Sequence, residues 1–151
     1  LSASRPSMPP TLASESKVDA SHKVTAISAI NDRLIPKDEN DRSIPYYHWW
    51  PKQGTIEWIS YELPQETLVA SATVYWFDDA PWGGCRVPKA WRIYYKDTAG
   101  EWCPVQNADS YGVVKGAANT VNFDPVKTTA VKLEVIQPDQ FSTGLFEWEV
   151  K

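Results

Sequence analysis

EWISYEL (residues 57–63) and ASATVYWF (residues 70–77) decide the fold class. In the first, Ile59, Tyr61 and Leu63 fall on one side of an extended chain, and Trp58, Ser60 and Glu62 on the other. Successive side chains of a strand point to opposite faces, so this alternation marks a strand with one apolar and one wet face. Working outward, AWRIYYK (residues 90–96) sets Trp91, Ile93 and Tyr95 on its inner face, and Asn119–Phe123 is a further strand. In Ala130–Ile136, Val131, Leu133 and Val135 alternate with Lys132 and Glu134. In Leu145–Val150, Phe146, Trp148 and Val150 alternate with Glu147 and Glu149. Apolar inner faces and charged outer faces predict antiparallel sheets, each wet on one side. Helical periodicity is nearly absent, and twelve prolines spread along the chain disfavour long helices.

At 151 residues, 42% of them hydrophobic, the chain suits one domain with a tail. A net charge of −4, with scattered Lys and Arg, argues against a nucleic-acid partner, which calls for a basic stripe. No apolar stretch approaches the roughly 18 residues of a membrane span, so no membrane partner is expected. Eight Trp, seven Tyr and four Phe exceed the ordinary needs of one small core. That surplus predicts a dense sandwich core, a flat stacking surface, or both.

Residues 1–17, LSASRPSMPPTLASESK, have the composition of a flexible linker. The expected division is a linker over 1–19 and a folded module over 20–151. The chain opens on Leu with no hydrophobic signal core, so any export signal is expected to have been removed. The two cysteines, Cys85 and Cys103, lack zinc-site spacing. A hairpin of Trp91–Lys96 with Glu101–Val105 across residues 97–100 places Cys103 opposite Tyr94, and whether the cysteines pair is open.

Two loops are long and rich in polar and aromatic residues. The second, residues 78–89 (DDAPWGGCRVPK), gathers Asp78, Asp79, Trp82 and Arg86 around the flexible Gly83-Gly84 pair. Asp supplies acceptors, Arg a rigid donor fork and Trp a flat face, a combination suited to a sugar ring and its vicinal hydroxyls. An Asp–Arg ion pair that pins the loop is the competing reading. The first loop, residues 31–55, contributes Tyr46, Tyr47, His48, Trp49 and Trp50. Such Trp pairs divide into one inward and one outward ring, and the sequence does not say which is which. Its stretch Asp38, Glu39, Asn40, Asp41 and Ser43 offers hard oxygen ligands of the kind calcium takes, without EF-hand spacing.

Catalysis finds little support. Neighbouring Asp78 and Asp79 point to different sides and cannot form a glycosidase's facing carboxylates. Only His22 and His48 are present as histidines, and no nucleophile elbow, His-Glu-x-x-His or phosphate loop occurs.

KVTAISAIND (23–32), WWP (49–51), GTIEWISYELP (54–64) and VASATVYWFDD (69–79) resemble the discoidin, or coagulation factor 5/8 C-type, domain. GGCRVPKAWRIYYKD (83–97) followed by EWCPV (101–105) is similar to modules appended to bacterial glycoside hydrolases. The resemblance covers about residues 20–151. It implies an all-β, eight-stranded jelly-roll β-sandwich whose loops at one end bind ligand. It places a sugar at Asp78, Asp79, Trp82 and Arg86, with Trp49 or Trp50 adjoining and Phe141 completing the wall. It further implies a structural calcium tying the first loop to the last strand. Candidate ligands are Asn31 or Asp32, then Asp41, Ser43 and Glu147, with carbonyls near Ser28 and Phe146. The chain departs from the pattern at Asn31, where an acid is usual, and at Arg33, near a usual Gly.

The expected function is therefore a non-catalytic carbohydrate-binding module of a larger bacterial enzyme, secreted, periplasmic or on the cell surface. Its partners would be plant cell-wall sugars, pectic ones included, and the parent catalytic domain. The alternative is an interaction domain that packs on its parent and binds no sugar, its Trp, Tyr and Arg forming a protein interface.

Overall fold

The computed structural model describes residues 8–151. Eight strands run β1 (Lys17–Ala20), β2 (Tyr47–His48), β3 (Ile56–Phe77), β4 (Cys85–Arg86), β5 (Ala90–Lys96), β6 (Trp102–Pro104), β7 (Asn119–Ile136) and β8 (Ser142–Val150), with a 3-10 turn at Thr25–Asn31. The sheet order is β2-β8-β3-β7-β5-β6, with β1 added to β3 and β4 to β8. All pairings are antiparallel except the short β4–β8 one.

EWISYEL and ASATVYWF are one strand, not two, and so are Asn119–Phe123 and Ala130–Ile136. A straight strand of 22 residues would reach about 73 Å. A domain of this size has a radius of gyration of only about 15 Å. The β3–β7 ribbon therefore folds over, and its register breaks between Glu62 and Thr67 and between Val69 and Ser71. Pro64 and Pro125, which have no N–H to give a ladder, stand in those breaks. Before the fold β3 carries β1, and after it β8, so one ribbon supplies both layers of the β-sandwich.

Four of the eight Trp fill the space between the layers: Trp49, Trp76, Trp91 and Trp148, each no more than 2% exposed. Tyr61 stacks on Trp148 at 4.1 Å and its hydroxyl donates to the Trp148 carbonyl at 2.7 Å, with the Ile30 carbonyl at 3.2 Å sharing the same proton. Trp76 and Trp91 meet edge to face, and both indole N–H groups donate to the Gly112 carbonyl. The other four, Trp50, Trp58, Trp82 and Trp102, lie outside this core.

Three expectations are corrected. The linker does not extend to residue 19, although residues 1–7 lie outside the described residues. Ala13 is fully buried, Asn31 Nδ2 donates to the Ala13 and Ser16 carbonyls, and Lys17–Ala20 pairs with β3. Here long-range packing outweighs a Ser/Pro/Ala composition. In the β5–β6 hairpin Cys103 opposes Tyr95, one position from expectation, because a turn closed by Asp97 and Glu101 sets the register. Cys85 and Cys103 are both free. The last strand is not wet on one side: residues 142–148 and Val150 are buried, Glu147 fully. A bulge explains its broken alternation. Tyr75 pairs with Glu147 and Trp76 with Leu145, leaving Phe146 as the extra residue. Leu145 thus enters the main core, while Phe146 turns to a satellite cluster with Phe77 and Cys85.

Candidate functional site

The C-terminal end of β3, the start of β8 and β4 meet at one end of the sandwich, and both long loops converge there. Asp78 and Asp79 leave β3 and anchor the second loop. Asp78, 2% exposed, accepts hydrogen bonds from the Ala80 and Val87 amides and faces Lys115 Nζ at 3.3 Å. Asp79 accepts from the Cys85 amide and lies between two guanidinium groups, Arg86 at 3.5 Å and Arg42 at 3.6 Å. Arg86 donates to the Gly83 and Cys85 carbonyls and stacks 4.2 Å from the centroid of Phe141. Asp78, Asp79 and Arg86 thus brace the loop, as the ion-pair reading expected, and Phe141 serves as the bed for Arg86.

Gly83-Gly84 is required by close approach. A Cβ on Gly83 would fall 1.9 Å from an Asp79 carboxylate oxygen, and one on Gly84 would fall 2.4 Å from the Trp50 ring. Both glycines let the backbone press against the two side chains that shape the site. The intervening turn, with its cis Ala80–Pro81 bond, presents Trp82 at 94% exposure.

The first loop settles the division of the Trp pair. Trp49 is fully buried, its indole N–H donating to Ser21 Oγ, and cannot touch a ligand. Trp50 is 45% exposed and joins Tyr46, His48, Asp79, Gly84 and Cys85 around a notch of about 220 Å³. Tyr46 is stacked on Phe77 at 3.8 Å. Arg42, which the sequence did not single out, ties Asp79 to the Tyr46 hydroxyl. His48 Nδ1 is buried without a partner. Burial, and then the charge of His22, lowers the His48 pKa below its usual value against the pull of Asp79. A neutral imidazole carries one donor and one acceptor nitrogen, and with Nδ1 closed off the ring can meet a ligand only through its other edge. In the sequence Tyr46 and His48 stand out only as part of the aromatic run and Arg42 not at all, because their roles depend on partners distant in sequence.

No family model matches the chain. The galactose complex of the family 32 carbohydrate-binding module of Clostridium perfringens NanJ superposes with a TM-score of 0.69 at 19% identity, over 92% of this chain and 95% of that one. The fold is that of the family 32 carbohydrate-binding modules. A structure of Streptococcus pneumoniae β-galactosidase BgaA matches this discoidin-like fold at TM-score 0.74 and 21% identity, covering 88% and 89% of the two chains. A C. perfringens module in complex with GalNAc-β-1,3-galactose matches at 0.65 and 16%, covering 92% and 96%.

The residues proposed for calcium divide into two groups in this family 32 fold. Asp41 accepts from the Ser43 hydroxyl and from the Lys37 and Ser43 amides, which hold its carboxyl down at about 2. Asp41 and Ser43 thus satisfy each other, and the Asn31 amide is committed to the N-terminal segment. Asp32 and Glu147 do come together, with Glu149 beside them. Asp32 Oδ2, Glu147 Oε2 and Glu149 Oε1 are buried and lack partners. Burial, then the Glu149 and Asp32 carboxylates, pushes the Glu147 carboxyl up to about 11. Arg33 takes φ +69°, the conformation for which a glycine is usual, and donates its amide to Glu147 Oε1. Among the described residues no group of three or more His, Cys, Asp or Glu is spaced to hold a metal. A cation at Asp32 and Glu147 would therefore need backbone carbonyls to complete its shell, which calcium accepts.

Proposed function

We propose that this chain is a non-catalytic carbohydrate-binding module that seats a sugar in the notch of Trp50, Tyr46, His48 and Asp79, with Trp82 as a second stacking face. The observation that carries this reading is Trp82, 94% exposed on a loop whose charged groups are otherwise engaged. An indole presented to solvent offers a flat apolar face of the kind that stacks on a pyranose ring. The exposed ring faces of Trp50 and Trp82 suit the apolar C–H face of a pyranose, and the polar edge of the notch suits its hydroxyls.

The parent is a larger secreted glycan-degrading enzyme, and the ligands are plant cell-wall glycans, galactose-bearing pectic side chains among them. Structural neighbours solved with galactose and with GalNAc-β-1,3-galactose support a galactose-type sugar. Tethering makes even a weak site useful, because it holds a catalytic partner at high effective concentration near its substrate. Against catalysis, Asp78 and Asp79 are both engaged by cations and amides and leave no facing pair. A calcium ion at Asp32 and Glu147 would have a purely structural role, joining the first loop to β8. Among the described residues no helix is long and apolar enough to cross a membrane.

The test is a glycan-array screen in calcium over plant cell-wall oligosaccharides, followed by Trp82→Ala and Trp50→Ala. Binding to a galactose-type glycan that Trp82→Ala abolishes and Trp50→Ala weakens about thirtyfold is the expected result. A silent array, or binding indifferent to both substitutions, would shift the reading to a domain that packs on its parent enzyme.

A further inference from the structure

The remaining two Trp, Trp58 and Trp102, lie far along the fold from this notch, on the outer face of the layer formed by β1, β3, β7, β5 and β6. We propose that this face is a second glycan site, for a chain carrying carboxylate or sulfate groups, built on Trp102, Lys96 and Lys132. Two adjoining troughs, of about 710 and 360 Å³, run over it and share Asp19, Ser60, Lys96 and Trp102 in their walls. Neither shares a residue with the walls of the loop notch.

Strand register explains the convergence. Asp19 pairs with Ser60, Ser60 with Lys132, and Lys132 with Tyr94, so these residues form one row across β1, β3, β7 and β5. β6 extends the layer by one strand, where Lys96 opposes Trp102. Strands lie about 4.8 Å apart, so five of them give a path of roughly 19 Å. That length suits a short oligosaccharide better than a single ring.

The charge pattern names the ligand. Lys96 Nζ and Lys132 Nζ each stand 5.0 Å from the centroid of the Trp102 ring, and Lys132 is also 4.9 Å from that of Tyr94. The two ammonium groups are therefore within about 10 Å of each other, close to the screening length of about 8 Å at physiological salt, so repulsion is not fully screened. Lysine stems do lie over aromatic rings on ordinary sheet surfaces. Here, however, neither lysine belongs to any ion pair among the described residues, whereas Lys17 and Lys23 at the far edge pair with Glu62 and Asp19. Glu134, on the same face as Lys132, is engaged by the Tyr94 hydroxyl. A protein of net charge −4 thus collects two unpaired cations over one half-buried indole. An anionic glycan supplies the missing counter-charge, its acid groups meeting Lys96 and Lys132 where they lie over the Trp102 ring.

The experiment titrates the full chain, by calorimetry and by amide chemical shifts, with a galacturonate hexamer, a heparin-derived hexasaccharide and a neutral galactan hexamer. The wild type is expected to bind at least one anionic hexamer, with shifts on β5, β6 and β7 and weakening in added salt. The galacturonate arm reads carboxylate recognition and the heparin arm sulfate recognition. K96Q/K132Q should lose at least tenfold in that affinity, K96R/K132R should keep most of it, and Trp82→Ala should leave it unchanged. The neutral hexamer reports the loop notch separately, so failure of either site is seen independently of the other. The proposal is overturned if neither anionic hexamer binds, if K96Q/K132Q binds as the wild type does, or if Trp82→Ala abolishes the binding.

Discussion

Gly84→Ala adds one methyl group and tests whether Trp50 is the wall of the sugar notch. The new Cβ would fall 2.4 Å from Trp50 Cζ3, 2.8 Å from Cε3 and 3.2 Å from Cη2. Carbon atoms pack at about 3.5–4.0 Å, so the indole edge must retreat by roughly 1 Å or more. Because Trp50 is 45% exposed, its ring can swing toward solvent with little strain in the core. Stability should therefore change by less than about 1 kcal/mol, well below the usual cost of overpacking a rigid site. Binding should suffer more. An aromatic anchor contributes about 2 kcal/mol on truncation, and a radial gap near 1 Å forfeits half of a contact's attraction. A loss of about 1–2 kcal/mol raises Kd about five- to thirtyfold. Calorimetric titration with the oligosaccharide identified by the array measures this, alongside thermal unfolding. In a Trp50→Ala background the same methyl meets no ring, so Gly84→Ala should add nothing further. Wild-type affinity in Gly84→Ala, or additive losses in the double variant, would refute Trp50 as the wall.

Asp78→Ala strands the Ala80 and Val87 amides at a buried site and should cost about 2–3 kcal/mol, seen as a Tm lower by roughly 4–12 °C. Trp82→Ala, at a residue 94% exposed, should leave Tm within about 1 °C while abolishing sugar binding. His48 has a pKa below the free value of 6.5, so the stability it contributes is present above that pH and lost as pH falls through the lowered pKa. Sugar affinity should fall over the same acid range, and His48→Gln should flatten that profile in titrations from pH 7 to pH 4.5. Glu147 has the opposite sign. Its stabilisation as a neutral acid is complete below pH 4.5 and lost as pH rises toward about 11. Calcium at Asp32 and Glu147 should therefore raise Tm more at pH 8 than at pH 5, and a chelator should remove the gain. Equal Tm with calcium and with chelator at both pH values would exclude the ion from this site.

The sequence by itself determined the fold class and the face of nearly every core strand residue. Ile59, Tyr61 and Leu63, or Val131, Leu133 and Val135, declare their side through a period of two, which is local and needs no knowledge of the partner strand. It also pointed to the loop of Asp78, Asp79, Trp82 and Arg86, because a Trp between Pro81 and Gly83 is hard to bury. Only the tertiary structure decided what those residues do. Asp78 and Arg86 are bracing groups because Lys115 and Phe141, far along the chain, meet them there. Trp49 rather than Trp50 turns inward because Ser21 lies where its indole N–H can reach. Glu147 is buried, although it lies on the face opposite Trp148, because Asp32 and Arg33, far along the chain, cover it. Residues 17–20 belong to the sandwich because β3 offers them an edge, and no composition reports the presence of a waiting edge. Alternation is written into neighbouring residues, whereas ion pairs, bulges and the choice between two rings depend on contacts that exist only after the chain has folded.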